Sequence, residues 1–192
     1  MIDASRFLIR STEYEGWLEA RRNGVSATAV AAAATPAGFR ETVATWGAPV
    51  EPNDYMRFGS ESEAELMRYA HQEHGILPSD WLIAGENPRH LATPDGLSLD
   101  HTLIAEAKTT GTDWGDKPPI KYRRQVQFQL KVTQAERCLL VWNLRVPDGD
   151  YYRLGWWEPK TLWIDRDDDM IADLTRTADE LLGALHGELQ PQ

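Results

Sequence analysis

The sequence of 192 residues contains one cysteine, Cys138, and this scarcity excludes several classes of protein. A single thiol cannot form an intrachain disulfide framework, and it cannot supply a zinc or iron–sulfur site made of cysteines. Cys138 stands in the apolar run 138–141. This setting predicts a buried and unreactive thiol, as is usual for a free cysteine among apolar residues.

Long apolar runs are also absent from the sequence. No stretch reaches the roughly 18 apolar residues that a membrane-spanning helix needs. The N-terminal Met-Ile-Asp-Ala lacks the basic and then apolar pattern of a signal peptide. We therefore expect a cytoplasmic protein without a membrane segment.

Basic residues are scarce as well, since 20 Lys and Arg stand against 30 Asp and Glu, for a net charge of −10. Binding to nucleic-acid phosphates needs positive charge. The imbalance is uneven, because residues 148–192 hold 11 acids and 4 bases, and the rest of the chain holds 19 acids and 16 bases. The segment 117–135 has five bases and no acid. This distribution leaves nucleic-acid binding open.

The pattern of apolar and capping residues indicates an α/β protein. No internal repeat or low-complexity linker is present, so we expect one domain over 1–192 with an N-terminal helical segment and a C-terminal helix. Predicted helices cover 13–22 (N-cap Thr12), 27–34 (N-cap Ser26), 39–46, 59–75, 120–132 and 167–185. Predicted strands cover 81–84, 89–93, 97–99, 101–109, 138–144, 151–157 and 162–164. This order predicts a three-layer core, like that of restriction endonucleases, in which helices flank a mixed central sheet.

Three charged residues near two predicted strands form the candidate chemical site. Glu106 and Lys108 are two residues apart, so on a strand their side chains leave the same face. Asp95 precedes Gly96 at a turn, and a hairpin-like return of the chain brings its carboxylate beside Glu106. Two carboxylates and a backbone carbonyl, for which Ala107 is the candidate, suit Mg²⁺ or Mn²⁺. Such an ion polarises a phosphodiester and activates water, while Lys108 opposes the developing negative charge.

The same residues also have a plainer interpretation. Asp95 and Gly96 are typical of an ordinary turn, and Glu106 with Lys108 is typical of an exposed ion pair on a strand. An acid followed by an E-x-K triplet is common, so this spacing alone does not decide between a metal site and a surface pair.

Four blocks of the sequence, in the same order, resemble the PD-(D/E)xK nucleases. The resemblance is to the lambda-type (YqaJ-like) phage recombination exonucleases in particular. The blocks are Trp17-x3-Arg21 with 24–28, Gly59-x3-Glu63, 93–96 with 106–108, and Tyr122-x2-Gln125 with 126–128. The matching region runs from about residue 14 to 133. The chain is shorter than the better-known members, which puts the loops around an oligomer or DNA channel in doubt.

The resemblance implies roles for the residues of the core. Asp95 and Glu106 are implied as metal ligands, and Glu63 as a further ligand or a partner of the ligands. Lys108 is implied as the catalytic lysine. Gln125 is implied to contact Lys108, the water or the scissile phosphate.

The resemblance also implies how DNA is held. Arg21 and Thr28, in the N-terminal helical segment, are implied to hold the phosphates of a DNA end. Lys121, Tyr122 and Arg124 lie in or beside the fourth block, and we expect them to contact the DNA backbone near the active site.

The implied function is a Mg²⁺-dependent exonuclease, with Mn²⁺ able to substitute, that resects double-stranded DNA from 5′ to 3′ in phage-type recombination. Members of this family often form a ring-shaped trimer and work with a single-strand annealing protein, so both are expected partners, in the cytoplasm of a phage-infected or bacterial cell. Two alternatives stay open, namely an endonuclease with the same core and a catalytically inactive scaffold that binds DNA ends. The intact set of core charges argues against the scaffold.

Overall fold

The computed structural model describes residues 1–49 and 51–187. The expected domain of 1–192 also includes Val50 and 188–192, which lie outside the described residues. The helices are α1 (Tyr14–Arg22), α2 (Ala27–Ala33), α3 (Pro36–Ala44), α4 (Asp54–His74), α5 (Ile120–Thr133) and α6 (Asp168–His186). The strands are β1 (Phe7–Arg10), β2 (Val25–Ser26), β3 (Leu77–Pro78), β4 (Trp81–Ala84), β5 (His90–Ala92), β6 (Gly96–Leu97), β7 (Leu103–Thr110), β8 (Arg137–Asp148), β9 (Tyr151–Leu154) and β10 (Lys160–Asp165).

The strands form two mixed sheets. The larger sheet has the order β10-β8-β7-β6-β3, with β9 paired to β8. Within it, β7 and β8 run parallel, and α5 is the crossover between them. The smaller sheet has the order β1-β4-β5-β2, in which β2 and β5 are parallel. The predicted class of a mixed sheet flanked by helices is confirmed, whereas the separate four-stranded sheet was not predicted.

The two faces of the larger sheet pack against different helices because neighbouring residues of a strand point to opposite faces. Ala105 of β7 belongs to an apolar cluster with Leu66 of α4. Its neighbour Ile104 belongs to the main core, with Phe128 of α5 and Leu174 of α6. Glu106 and Lys108 alternate with Ala105 along β7, so their side chains share the face of Ile104, which packs against α5.

Three predicted helix starts are wrong, and capping contacts explain them. Helix α3 begins at Pro36, three residues before the predicted start, because the Thr35 side chain accepts a hydrogen bond from the Gly38 N–H at 3.1 Å. Helix α1 begins at Tyr14 with Glu13 as its N-cap, while the Thr12 hydroxyl lies 3.4 Å from an Asp80 carboxylate oxygen. Helix α4 begins at Asp54, because the Asn53 side chain accepts a hydrogen bond from the Met56 N–H at 2.9 Å. An internal glycine costs a helix only about 1 kcal/mol, so Gly59 does not set its start.

The predicted strand 151–157 is shorter in the structure, where β9 ends at Leu154. The side chain of Asn143 makes two 3.0 Å hydrogen bonds with the backbone of Trp156, and these replace strand pairing there. Trp156 packs against the core, but Trp157 is 96% exposed. Cys138 is fully buried, as predicted.

In residues 1–49 and 51–187, no helix combines the length and the apolar character that a membrane crossing requires.

Candidate active site

A cleft of about 390 Å³ gathers most of the predicted site residues. Helices α1, α2, α4 and α5, the loop before β6, and strand β7 contribute to its wall. The predicted residues that line it are Arg21, Thr28, Glu63, Asp95, Glu106, Lys108 and Gln125. Its size falls in the range typical of small-molecule and substrate pockets.

The pairing of β6 with β7 brings Asp95 next to Glu106. Gly96 lies opposite Ala105 in this antiparallel pair. The Ala107 N–H donates a hydrogen bond to Asp95 Oδ2 at 2.7 Å, which fixes the carboxylate one residue from Glu106. A Cβ at position 96 would lie 2.4 Å from Met67 Cε, 2.9 Å from Ile76 Cγ2 and 3.1 Å from Ala105 Cβ, so any side chain there would displace its neighbours. The predicted hairpin-like return is therefore present.

Glu106 is the most heavily bonded carboxylate of the cleft, and it is 2% exposed. Its Oε1 accepts hydrogen bonds from the Lys108 ammonium and from Gln125 Nε2, the latter at 2.5 Å. Its Oε2 accepts a hydrogen bond from Gln129 Nε2 at 2.7 Å. The plainer interpretation of Glu106 and Lys108 as an exposed ion pair is wrong, because the pair is held inside the cleft wall. We call Glu106, Lys108, Gln125 and Gln129 the carboxylate cluster.

The cleft has an excess of negative charge. Burial and the Glu106 carboxylate raise the pKa of Asp95 well above its ordinary value, against the opposing effect of Lys108. Partial burial and Glu106 also raise the pKa of Glu63, although this side chain is exposed on its helix. Burial alone lowers the pKa of Lys108, but Glu106 and Asp95 reverse that effect and raise it. Lys108 therefore remains an ammonium ion throughout the neutral range.

The chemistry of the donors fits a hard divalent cation. Four carboxylates line the cleft. Asp80 pairs with Arg10, and the other three, Glu63, Asp95 and Glu106, lie around Lys108, so a cation relieves their repulsion. Across the described part of the chain, no three His, Cys, Asp or Glu residues group as a ready ligand set. A bound cation would take its protein donors from Asp95 and Glu106, with Glu63 and the Ala107 carbonyl as the further predicted donors.

The part of the cleft wall formed by α1 and α2 offers groups that suit an anion. Arg21 Nη2 donates to Ser26 Oγ at 3.0 Å, and its guanidinium lies 4.4 Å from the Trp17 ring centroid. Within the described residues, no ion pair joins Arg21 to an acid. The Thr28 hydroxyl lines the same cleft. Gly24, between Arg21 and Ser26, lets the chain pass close to the backbone of Arg89, because a Cβ at position 24 would lie 2.3 Å from the Arg89 carbonyl oxygen.

Three predicted DNA-contacting residues lie outside the lining of the cleft, among the residues that the structure describes. Lys121 is exposed and lies over the Tyr122 ring at 4.8 Å. Tyr122 packs on Trp114, with ring centroids 5.1 Å apart, and lies 5.5 Å from Lys108 Nζ. Arg124 is half-buried on α5. Tyr122 thus supports the catalytic lysine candidate, and its predicted DNA contact stays a prediction.

Gln129, which was not among the predicted site residues, is 1% exposed and contacts Glu106 directly. Its Oε1 is buried without a hydrogen-bond partner. The sequence spacing could have indicated this residue, because Gln129 is four residues after the predicted Gln125 and so lies on the same face of α5. Gln125 itself contacts Glu106, whereas the prediction named Lys108, water or phosphate.

The mixed α/β fold of this chain is similar to that of solved exonuclease structures. The chain is similar to an alkaline exonuclease, LHK-Exo, from Laribacter hongkongensis, at 28% identity and a TM-score of 0.72, over 91% of this chain and 93% of that one. It is similar to the same exonuclease in complex with dAMP, at 27% identity and a TM-score of 0.70, over the same shares of the two chains. A phage-related exonuclease from Haemophilus somnus 129PT shares the fold, at 16% identity and a TM-score of 0.65, over 87% and 96% of the chains.

These similarities fit the lambda-type exonuclease resemblance found in the sequence, and they support a nuclease, a DNA-binding hydrolase. No protein-family model matches the sequence, and no curated protein matches it.

Proposed function

We propose that this protein is a Mg²⁺-dependent exonuclease of the PD-(D/E)xK type that removes nucleotides from the 5′ end of double-stranded DNA. One observation carries the proposal, namely that Asp95, Glu106 and Lys108 share a cleft with Arg21 and Thr28. The first three are groups for hydrolysing a phosphodiester, and the other two are groups for holding a phosphate.

The residues of the cleft divide the chemical work between them. Arg21 and Thr28 hold the terminal 5′ phosphate and so place the next phosphodiester beside Glu106 and Lys108. The Lys108 ammonium orients the attacking water and stabilises the negative charge that builds on the phosphate oxygens. Gln125 keeps the Glu106 carboxylate in place.

Asp95 and Glu106 would hold the cation, with Glu63 and the Ala107 carbonyl as further donors. A bound Mg²⁺ or Mn²⁺ supplies a Lewis acid for the phosphate and lowers the pKa of a bound water. Hydrolysis at this bond releases a nucleoside 5′-monophosphate. The Laribacter exonuclease in complex with dAMP, a nucleotide of this kind, supports that product.

The proposal is tested by incubating the protein with linear duplex DNA and with closed circular DNA, in Mg²⁺ and in EDTA. We expect release of nucleotides from the linear DNA in Mg²⁺ alone, faster from a 5′-phosphate than from a 5′-hydroxyl end. Nicking of the circle identifies an endonuclease instead. DNA binding without any cleavage identifies a scaffold.

The variant Asp95→Asn tests whether Asp95 binds the cation, because it keeps the shape of the side chain and removes its charge. A cation that binds only the folded protein raises its stability. We expect added Mg²⁺ to raise the melting temperature of the wild type and to leave that of Asp95→Asn nearly unchanged. Equal shifts in the two proteins exclude Asp95 as a ligand.

The proposal extends to assembly. A ring-shaped homo-trimer favours processive digestion because a closed ring resists dissociation from DNA, and such rings follow from rotational symmetry. Sedimentation velocity is expected to give three times the mass of one chain. The expected single-strand annealing partner is tested by mixing the protein with such an annealing protein in the same experiment.

A further inference from the structure

An aromatic and cationic ladder leads out of the cleft along α1. It consists of Tyr14, Trp17 and Arg21, whose spacing of three and four residues puts them on one face of the helix. The rings of Tyr14 and Trp17 stack at 24°, with centroids 6.3 Å apart. The Arg21 guanidinium lies 4.4 Å from the centroid of Trp17. Arg21 and Trp17 line the cleft, and Tyr14 is the outer end of the ladder.

Core packing accounts for Trp17 but not for Tyr14. Trp17 packs against the apolar cluster of Leu82 and Leu91. Tyr14 is 63% exposed, and among the described residues it joins none of the apolar clusters. Gly16 lets α1 pack closely on β1, because a Cβ there would lie 2.8 Å from Ile9 Cδ1. Tyr14 is therefore an exposed ring on a helix that packs against β1.

We propose that Tyr14, backed by Trp17, is a stacking platform for an unpaired nucleobase at the end of the DNA, the base adjoining the phosphate that Arg21 holds. This inference rests on the proposed function. Surfaces for single strands combine a cationic track for the backbone with aromatic rings for the bases, and every base has a face that stacks. The ladder supplies both within two helical turns, next to the cleft.

The platform lets the enzyme bind a DNA end whose terminal base is unpaired. A base that stacks on Tyr14 leaves its partner strand, so the first base pair is open before the phosphodiester reaches Lys108. The platform accepts any of the four bases, because stacking needs no particular pattern of hydrogen bonds. Recognition of the end is therefore independent of DNA sequence.

The test compares Tyr14→Ala with the wild type on two 5′-phosphorylated duplexes, one intact and one with an abasic 5′-terminal nucleotide, by fluorescence anisotropy in EDTA. Stacking of one base on an aromatic ring corresponds to roughly 5- to 140-fold in affinity. We expect Tyr14→Ala to weaken binding of the intact end by about that factor and to leave binding of the abasic end unchanged. A 2-aminopurine placed at the terminus is expected to be quenched by the wild type and by Tyr14→Phe, but not by Tyr14→Ala.

The matched control is Tyr55→Ala, since Tyr55 is also an exposed tyrosine in the first turn of a helix and lies outside the cleft lining. It is expected to bind both duplexes as the wild type does. If the wild type digests these duplexes in Mg²⁺ and Tyr14→Ala binds the intact end as tightly, the platform is overturned and the nuclease stands. If the wild type neither binds nor digests DNA, both proposals fall.

Discussion

Helix α5 contributes side chains to two polar clusters that differ in charge balance. One is the carboxylate cluster, in which Lys108 faces Glu106 with Asp95 and Glu63 nearby. The other, here called the histidine cluster, consists of His90, Lys131 and Asp179. Together with the neighbouring Asp95 and Glu63, the first has more acids than bases, whereas the second pairs one lysine with one aspartate across a histidine.

The histidine cluster lies outside the lining of the cleft, and its members are unequally buried, since Asp179 is exposed and Lys131 is half-buried. His90 is 1% exposed, and its ring lies 5.5 Å from that of Phe128. Its Nε2 bonds Asp179 Oδ1 at 2.9 Å, and its Nδ1 contacts the Lys131 ammonium. These contacts join β5 and α5 to α6. A balanced set of charges stabilises the packing of helices, and the unbalanced set is found where a cation and a phosphate are expected.

The largest expected effect separates the two lysines. Lys108→Met removes the ammonium from the cleft, and because that charge stabilises the phosphate oxygens we expect the rate of DNA hydrolysis to fall by about 10²- to 10³-fold. Lys131→Met is the matched control, since it removes the lysine of the histidine cluster. It is expected to leave hydrolysis unchanged. The measurement is single-turnover cleavage of a labelled duplex.

The comparison of the two lysine variants requires that Lys108→Met still binds DNA. Arg21 and Thr28 still hold the phosphate, so its dissociation constant should stay close to that of the wild type. A large loss of hydrolysis in Lys131→Met contradicts the division of the two clusters into an active and a structural one.

A smaller effect on activity is expected from substitution of Gln129, and Gln127 on the same helix provides the comparison. Gln129→Leu removes a hydrogen bond to Glu106, and such supporting contacts are commonly worth about 10- to 100-fold in activity or metal affinity. Gln127 is the control, because it bonds the backbone of Asp165 and Asp167 at 2.8 and 2.9 Å and lies outside the cleft lining.

Gln127→Leu is expected to lose stability and keep activity. A buried backbone group left without a partner costs about 1–3 kcal/mol, which urea unfolding detects. Titration of the cleavage rate with Mg²⁺ measures the Gln129 effect. Equal activity of Gln129→Leu and the wild type over the whole titration contradicts a positioning role for Gln129.

Local patterns in the sequence predicted much of the fold and of the site. The strand at 81–84 and the start of α5 at Ile120 match the structure, because a short apolar run and the flanking prolines are signals within a few residues. Glu106 and Lys108 share a face because they are two apart on a strand. The position of Asp95 followed from the turn at Gly96.

Features that depend on distant partners were not predicted. Strand β1 exists because Phe7–Arg10 pairs with β4, some seventy residues away. Strand β2 is two residues long and pairs with β5 through Val25 and Ser26. The contact of Gln129 with Glu106 needs β7 and α5 to pack together, and spacing alone did not show which face of α5 meets the strand.

The smallest expected effect is on the pH dependence of the free energy of unfolding. Acid is expected to lower the contribution of the histidine cluster and to raise that of the cleft carboxyl groups. Burial and the Lys131 ammonium lower the pKa of His90 below its ordinary value of 6.5. The folded state therefore binds that proton less readily than the unfolded state, and the stability due to neutral His90 is lost as pH falls below about 6.5. The carboxyl pKa values of Asp95 and Glu63 are raised, so acid acts on them in the opposite direction and adds stability.

The change His90→Gln isolates the contribution of the histidine cluster, because the cleft acids are the same in both proteins. We expect the variant to be less stable by about 1 kcal/mol at pH 7.5, from the loss of its hydrogen bonds. The difference between wild type and variant should shrink as pH falls from 7.5 to 5.5, when wild-type His90 has to be protonated on unfolding. Melting temperatures in EDTA at the two pH values measure it. A difference that stays constant means that His90 does not titrate with folding, and the histidine cluster is then held by packing against Phe128 rather than by its charges.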